Sequence, residues 1–243
     1  MEQIKITGIV THTADFRDFD RMITILTPDE GAIGLCLKGC RKPNAKLRAA
    51  GQMFCFADFE LIKRPTGYIM TGCSVRDSFF ELAMDLERMQ AAGRLCSLTN
   101  LLFEAQEDAQ RELFALLLSA ITTLAHAKRV NPSEVMLLCA IRMLDICGYQ
   151  PQLDSCVACG APVGAGERAF SAELGGVLCD TCAGQDANHI RMSAGAISSI
   201  RMAMELPNTK MATFHFGTEI RKQLQQAISA FFSERLEQKI RLD

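Results

Sequence analysis

The chain has 243 residues, of which 49% are apolar and 22% are charged, and its formal net charge is −2. This composition is ordinary for a globular protein, and the length suffices for one large domain or for two to three small ones. No apolar run approaches the roughly 18 residues of a membrane-spanning helix, and the start of the chain lacks the apolar segment of a secretory signal. We therefore expect a cytoplasmic protein, in which any binding of nucleic acid depends on a local cluster of cations.

Five short segments within the first 76 residues have the character of β-strands. Residues 4–10 alternate in part between polar and apolar side chains, residues 22–26 are apolar and β-branched, and similar runs follow at 32–37, 54–62 and 68–75. The stretches Thr27 to Gly31 and Pro65 to Gly67 have turn chemistry, which predicts hairpins between the flanking strands. The pattern indicates a small five-stranded β-barrel at residues 1–78, either an oligonucleotide-binding (OB) fold or an SH3-like barrel.

A basic run lies between the third and fourth predicted strands. Five cations fall within eleven residues that contain no acid: Lys38, Arg41, Lys42, Lys46 and Arg48. Residues 1–80 hold eleven basic and nine acidic side chains, so that this part of the chain has a net charge of +2. Such a loop suits contacts with backbone phosphates, although a solvated surface loop has the same composition.

Side chains outside the basic run could enlarge it or weaken it. Two further cations are Arg17 and Arg21, and the acids that dilute them are Asp15, Asp18 and Asp20. Three aromatic side chains are available for stacking on bases: Phe16, Phe19 and Tyr68. Phe16 and Phe19, taken one at a time, are more typical of core residues than of a stacking surface.

From about residue 79 the spacing of apolar residues becomes helical. One such stripe consists of Leu113, Leu116, Leu117, Ala120, Ile121 and Leu124. In the next helix Asn131 can act as the cap, Pro132 suits the first turn, and Glu134 can reach back to the backbone of the cap. That helix is apolar on nearly every face and ends at Gly148, while later helices follow Ser193 and begin near Thr218. We predict an all-α domain at residues 79–243.

The eleven cysteines form two groups. Most of them, such as Cys55, Cys139 and Cys147, lie in apolar runs and are expected to be small buried residues, because a reducing cytoplasm disfavours disulfides. The second group has the spacing C-x2-C-x19-C-x2-C and consists of Cys156, Cys159, Cys179 and Cys182. This spacing lets two tight turns present four thiolates to one metal ion.

The four-cysteine motif predicts one structural zinc ion per chain, in an insert at about residues 150–190. Gly160 follows the first pair, and residues 170–178 resemble a hairpin that delivers Cys179. A thioredoxin-like redox site has one such pair in a βαβ unit, and a catalytic zinc keeps an open coordination position. Four buried cysteines without metal are a further alternative, and His189 is expected to be a surface residue.

Specific sequence strings accompany this order of barrel, helical domain and four-cysteine insert. The segment from Gly148 to Gly160 reads G-Y-x-P-x-L-D-x-C-x-x-C-G, and residues 175–182 lead into the second cysteine pair. The strand at residues 8–10, the run at 38–42 and the pair Lys46-Leu47 contribute as well. Together these features resemble the bacterial RecO family of recombination mediator proteins over nearly the whole chain.

The resemblance implies an N-terminal OB-fold and a helical C-terminal domain with a zinc-binding insert. It also implies a role in DNA repair and homologous recombination through the RecFOR pathway, with binding of single- and double-stranded DNA and annealing of complementary strands at the bacterial nucleoid. The implied partners are RecR and the C-terminal tail of single-stranded DNA-binding protein, which is displaced so that RecA loads onto gapped DNA. By position, Lys38, Arg41 and Lys42 would contact DNA, with Lys46 and Arg48 beside them, and the four cysteines would hold Zn²⁺.

The sequence motifs do not indicate an enzyme. There is no P-loop, no nucleophile motif and no paired-carboxylate metal site of the kind that catalysis uses. Annealing requires only charge neutralisation and strand alignment. Two other functions stay open at this point: a zinc-stabilised protein-interaction scaffold with little intrinsic DNA affinity, and a zinc-dependent thiol redox enzyme.

Overall fold

The computed structural model describes residues 2–163 and 166–242, and the chain divides into two compact units, residues 1–128 and 129–243. The strands are β1 (Glu2–Phe16), β2 (Asp20–Leu26), β3 (Ala32–Leu37), β4 (Phe56–Arg64), β5 (Gly67–Asp77), β6 (Arg168–Ser171), β7 (Gly176–Leu178) and β8 (Ile190–Met192). The α-helices are α1 (Leu86–Ala105), α2 (Gln110–His126), α3 (Pro132–Ile146), α4 (Ala194–Glu205) and α5 (Thr218–Leu236). None of the helices in these described ranges has an apolar run long enough to cross a membrane.

The first unit contains an antiparallel sheet with the strand order β3-β2-β1-β4-β5. The two predicted hairpins are confirmed, since β2 pairs with β3 and β4 pairs with β5. In the turn before β3, the backbone N–H of Thr27 donates to the carbonyl of Gly31 at 2.9 Å, and Gly31 has a φ of 69°. This left-handed conformation costs glycine nothing, and it explains the turn chemistry of the sequence.

Strand β1 is the central strand of the sheet, and it is long enough to pair with two neighbouring strands. It pairs with β4 along its first half and with β2 along its second half. The prediction that β4 begins at residue 54 is wrong, because Phe54 has a φ of 68° and its N–H donates to Val10 outside the β4 ladder. The irregular stretch at Phe54 lies beside the register shift that follows Val10, as expected of a β-bulge.

The two edge strands of this sheet curve towards each other. Strands β3 and β5 have no hydrogen-bonded ladder between them among the described residues, yet they approach within 8 Å between Cα atoms. The enclosed core is built from inward side chains of all five strands, including the fully buried Ile25, Phe59 and Leu61. Alternation of inward and outward side chains therefore produces one buried face, as the sequence pattern requires.

Helices α1 and α2 complete the first unit. Asp85 caps α1 by accepting hydrogen bonds from the backbone N–H groups of Glu87 and Arg88, and α1 packs against β1 and β3. Within the interface, the Thr11 hydroxyl donates to Asn100 Oδ1 at 2.8 Å. All six residues of the predicted apolar stripe on α2 are fully buried, so this element of the sequence prediction is confirmed.

In the second unit α3 is the central helix. Asn131 caps it as predicted, with Pro132 in the first turn, and α3 contacts both α4 and α5. The prediction for Glu134 is wrong: its carboxylate does not return to the backbone of the cap but accepts from His215 Nδ1 at 2.9 Å. Glu134 is buried, and the guanidinium group of Arg221, 3.8 Å from Glu134 Oε1, offsets its charge better than a backbone N–H does.

An insert separates α3 from α4. It contains a three-stranded sheet in the order β7-β6-β8, which confirms the predicted hairpin of β6 and β7. Strand β8 has only three residues and was not expected from the sequence. The insert ends at Ser193, whose hydroxyl caps α4 by accepting from the N–H of Ala196 at 3.2 Å, as predicted.

Candidate nucleic-acid interface and metal centre

The five predicted DNA-contacting cations lie on one ordered loop between β3 and β4. All five side chains are exposed: Lys38, Arg41, Lys42, Lys46 and Arg48. Consecutive turns order the loop through backbone hydrogen bonds from Lys42 to Gly39, from Ala45 to Lys42 and from Arg48 to Ala45. Cys40 and Ala50 are buried in the sheet core and Leu47 packs against it, so that the polypeptide is anchored while its cations point outward.

The tip of the β1–β2 hairpin lies directly against this loop. The N–H of Arg41 donates to the carbonyl of Phe19 at 3.1 Å, and the N–H of Gly39 donates to Asp20 Oδ1 at 2.7 Å. Lys42 Nζ is 5.6 Å from the centre of the Phe19 ring, a cation–π distance. The tip and the loop therefore form a single surface, which we call the hairpin–loop surface (residues 15–21 and 38–48).

The aromatic residues of the tip are not core residues. Phe16 is 42% exposed and Phe19 is 49% exposed, which overturns the expectation that each belongs to the core. Both lie at the end of the β1–β2 ladder, where Phe16 pairs with Asp20, and Arg17, with a φ of 52°, forms part of the tight turn between them. Tyr68 is half-buried and packs against the core of the sheet, so its ring is less available than those of Phe16 and Phe19.

A basic pocket of about 230 Å³ opens on the hairpin–loop surface. It is lined by Arg21, Cys40, Arg41, Arg48 and Gln52. Arg21 comes from β2 and Gln52 from the end of the loop, and neither position carries a motif. Sequence reasoning recognised Arg21 only as a possible extension of the patch and missed Gln52. Pairing of β2 with β3 places Arg21 opposite Leu37, beside the start of the loop, and Arg21 donates to the carbonyl of Gly51, the neighbour of Gln52.

The four cysteines of the insert meet at one point. Their sulfur atoms all lie within 4.8 Å of one another: Cys156, Cys159, Cys179 and Cys182. The first pair sits on a tight turn closed by the N–H of Gly160, which donates to the carbonyl of Cys156 at 2.8 Å, with Gly160 at a φ of 75°. The second pair follows β7, where the N–H of Cys182 donates to the carbonyl of Cys179 at 3.0 Å. His189 is not part of this group.

The spacing of the sulfur atoms fits a tetrahedral zinc site. A Zn–S bond of about 2.3 Å gives a tetrahedron whose sulfur atoms are about 3.8 Å apart. Cys159 Sγ and Cys179 Sγ are 3.7 Å apart. Cys156 and Cys182 are buried while Cys159 is exposed, so the group is closed on its inner side and reaches solvent at one corner. Four thiolates fill the coordination sphere, which leaves no open position for a substrate.

The close approach of four thiols alters their protonation. Burial is the largest influence on Cys156 and acts to raise its pKa, but hydrogen bonds from the backbone of Cys179, Cys159 and Ala158 lower that pKa to about 6. For Cys182, side-chain hydrogen bonds with Cys179 and Cys159, together with burial, raise the pKa to about 12. The sulfur atoms are therefore close enough to share protons through hydrogen bonds, and coordination of a metal ion would displace those protons.

Comparison with protein families decides the relationship. The family model described as "Recombination protein O N terminal" matches residues 1–79, and the one described as "Recombination protein O C terminal" matches residues 83–242. The chain belongs to the RecO family. The hairpin–loop surface of this RecO chain falls in the N-terminal match, and its four-cysteine group falls in the C-terminal match.

Several bacterial proteins called "DNA repair protein RecO" are similar to this RecO chain over nearly its whole length. The one from Acetivibrio thermocellus is 29% identical over 98% of this chain and 93% of its own length. The one from Desulforamulus reducens is 27% identical over 99% and 93%, and the one from Symbiobacterium thermophilum is 26% identical over 99% and 95%. The match is therefore to whole proteins and is not confined to one domain.

Proposed function

We propose that this RecO-family chain is a non-catalytic mediator of DNA repair and homologous recombination that binds single- and double-stranded DNA and anneals complementary strands. The observation that carries the proposal is the hairpin–loop surface, on which five exposed cations lie beside the exposed rings of Phe16 and Phe19. Cations neutralise backbone phosphates without reading sequence, and aromatic rings stack on unpaired bases. Strand annealing requires both, since like-charged strands must approach while their bases stay accessible.

We also propose that the partners are those of the family: RecR, the C-terminal tail of single-stranded DNA-binding protein and, indirectly, RecA. Membership of the RecO family and the names of the similar proteins support this proposal. In this scheme the chain acts in the cytoplasm at the nucleoid, where it helps RecA load onto gaps coated by single-stranded DNA-binding protein.

The five-stranded sheet is proposed to be a closed OB-fold barrel at residues 1–78, followed by the helical part of the chain at 79–243. The order β3-β2-β1-β4-β5 becomes a closed barrel when β3 meets β5, and the close approach of these two strands supports closure. OB-folds bind oligonucleotides on one face of the barrel and its adjoining loops, so this fold suits the position of the hairpin–loop surface.

The four-cysteine group is proposed to hold one structural Zn²⁺ per chain. Its donors are four thiolates with tetrahedral spacing, which suits zinc and disfavours a hard cation. The apolar cluster around the group is small, with Cys156, Leu178 and Cys182 as its buried members. So small a cluster contributes little burial around the cysteines themselves, and a bound metal ion would add free energy of folding at this end of the insert.

The test of DNA binding is a charge reversal that keeps the net charge of test and control equal. The variant Lys38→Glu/Lys42→Glu is compared with Lys63→Glu/Arg64→Glu. Lys63 and Arg64 are exposed and lie at the end of β4, where Lys63 pairs with Glu2 at the start of β1, whereas Phe16 lies at the far end of β1. Affinity for a fluorescent single-stranded oligonucleotide and the rate of annealing are measured across a salt series, with and without RecR.

We expect the loop variant to lose at least about tenfold in affinity. The slope of log affinity against log salt concentration should become shallower by about one to one and a half, because two phosphate contacts are lost. The control variant should change by less than about threefold. Equal losses in the two variants, or unchanged annealing in the loop variant, would show that the hairpin–loop surface is not the DNA-binding site.

One observation favours a second candidate, a protein-interaction scaffold with little DNA affinity. Three apolar side chains of the first unit are strongly exposed within seven residues: Phe80 at 67%, Met84 at 76% and Leu86 at 63%. Neighbouring exposed apolar side chains commonly mark protein contacts. The binding measurements separate the two candidates. A scaffold would bind DNA weakly, and neither the loop variant nor the control variant would change that affinity.

A further inference from the structure

We propose that Asp15 competes with phosphate for the guanidinium groups of the basic pocket. Its carboxylate pairs with these groups and thereby lowers the affinity of the pocket for DNA. The pocket takes one backbone phosphodiester group, and it gains its full positive charge only when the pairing with Asp15 is broken. This inference rests on the proposed DNA-binding function, and it adds to that function the residue that sets the affinity.

The contacts of Asp15 cover two of the three arginines that line the pocket. Asp15 Oδ1 accepts from Arg21 at 2.9 Å through Nε and lies 2.7 Å from its terminal nitrogen, and Asp15 Oδ2 is 3.2 Å from the terminal nitrogen of Arg41. One carboxylate therefore bridges two guanidinium groups. A phosphodiester carries the same single negative charge and also offers two oxygen atoms, so it can replace the carboxylate group for group.

Backbone carbonyls hold the same arginines independently of Asp15. Arg21 donates to the carbonyl of Gly51 at 2.8 Å, and Arg41 donates to the carbonyl of Asp18 at 3.2 Å. The third arginine, Arg48, has no ion pair among the described residues and donates to the carbonyl of Pro43 at 3.4 Å. The guanidinium groups thus stay oriented at the pocket when Asp15 is neutralised, which distinguishes a competitor from a positioning residue.

The pairing is weak enough to be displaced. The side chain of Asp15 is 50% exposed and that of Arg41 is 36% exposed, so water and salt screen their attraction. Exposed ion pairs of this kind change an equilibrium constant by a factor of about five or less. The competitor consequently lowers the affinity for a phosphate without blocking the pocket, a property that suits a protein that must release strands after aligning them.

The experiment compares two neutralised acids that raise the net charge equally. Asp15→Asn removes the competitor, whereas Asp29→Asn removes an acid that is 60% exposed and pairs with Arg111 elsewhere in the first unit. Affinity for a single-stranded oligothymidylate is measured at fixed salt, and a thermal melt checks the fold. We expect Asp15→Asn to bind about three- to fivefold more tightly than the unaltered chain and Asp29→Asn to stay within about twofold of it.

Two additional measurements make the result specific. When Arg41→Ala is the reference, adding Asp15→Asn should give a smaller gain than it gives in the unaltered chain, because only the guanidinium group of Arg21 remains to be freed. Inorganic phosphate should displace the oligonucleotide from Asp15→Asn at a lower concentration than from the unaltered chain, when chloride is adjusted to constant ionic strength. The second measurement tests whether the pocket recognises phosphate itself or only the strand as a whole.

The possible failures can be distinguished. If Asp15→Asn binds equally or more weakly while Lys38→Glu/Lys42→Glu still loses affinity, Asp15 is not a competitor and the proposed DNA-binding function stands. A gain of equal size in Asp29→Asn would assign the effect to net charge and would also overturn the inference. If neither the lysine pair nor Asp15 affects binding, the DNA-binding assignment of the hairpin–loop surface fails first.

Discussion

Glu134 is the clearest case in the second unit of a single buried charge whose partners come from a distant part of the sequence. Its side chain is 8% exposed. Glu134 Oε2 accepts a hydrogen bond from His215 Nδ1 at 2.9 Å, and Glu134 Oε1 lies 3.8 Å from a terminal nitrogen of Arg221. A buried carboxylate is costly unless it is paired and hydrogen-bonded. Glu134 therefore contributes to the link between the start of α3, the segment before α5 and α5 itself, beside the hydrogen bond from Gln225 to the Ser133 hydroxyl.

Substitution of Glu134 tests that contribution. We expect Glu134→Gln to lower the free energy of unfolding by about 1–2 kcal/mol, because the neutral amide does not offset the charge of Arg221 as the carboxylate does. His215→Ala should cost less, since the His215 side chain is 65% exposed and solvates readily. Urea unfolding followed by circular dichroism measures both, and equal losses would contradict the role given to Glu134.

A single cysteine substitution tests the metal centre. We expect Cys156→Ser to reduce bound zinc from one equivalent per chain to nearly none, and to expose residues 156–182 to proteolysis, because three thiolates hold zinc less tightly than four. Cys36→Ser provides the matched control, since Cys36 is a half-buried cysteine in β3, outside the group. An undiminished zinc content and an unchanged melting temperature in Cys156→Ser would count against the site.

At the scale of elements, the tip of the β1–β2 hairpin and the loop after β3 act as one structure although 16 residues, from Met22 to Leu37, separate them in sequence. Hydrogen bonds from Gly39 and Arg41 to the hairpin tip fix their relative position. The tip supplies aromatic rings and the loop supplies cations. Neither element alone offers what the binding of a single strand requires.

The contribution of the hairpin is tested at Phe19. We expect Phe19→Ala to weaken the binding of single-stranded DNA by about 1–3 kcal/mol and that of double-stranded DNA by much less, because only unpaired bases stack on a side chain. The melting temperature should not change, since the ring is 49% exposed. Phe80→Ala is the control, because Phe80 is 67% exposed and lies outside the hairpin–loop surface. Similar losses in both variants would remove Phe19 from the interface.

At the scale of the whole molecule, the chain separates its two kinds of site. The hairpin–loop surface lies in residues 1–128 and the four-cysteine group lies in residues 129–243, and each unit has its own buried core. The net charge of −2 is small, so that the proposed attraction of DNA would depend on the loop and not on the overall field of the molecule.

This separation predicts the effect of metal removal. Treatment with a strong chelator should make residues 156–182 accessible to protease and lower the stability of the second unit, while affinity for single-stranded DNA stays within about twofold, since the basic run and the cysteines belong to different units. Binding titrations with and without added zinc measure this. A loss of DNA affinity that zinc restores would mean that the insert belongs to the interface.

Several features of this protein could be predicted from local sequence. The caps at Asn131 and Ser193, the apolar stripe of α2 and the spacing of the four cysteines each depend on residues close together in the chain. Their chemistry is local, because a cap or a turn needs only the hydrogen bonds within a few residues. The family strings around Gly148 to Gly160 are local as well, and the family was recognised from them.

The tertiary structure alone decided where distant residues meet. The exposure of Phe16 and Phe19, the partners of Glu134 and the bridging of Arg21 and Arg41 by Asp15 cannot be read from spacing. An aromatic ring is buried or exposed according to what covers it, and a carboxylate pairs with whichever cation the fold brings near. The sequence by itself determined the family and the four cysteines, whereas only the pairing of the strands decided how the basic run becomes a pocket.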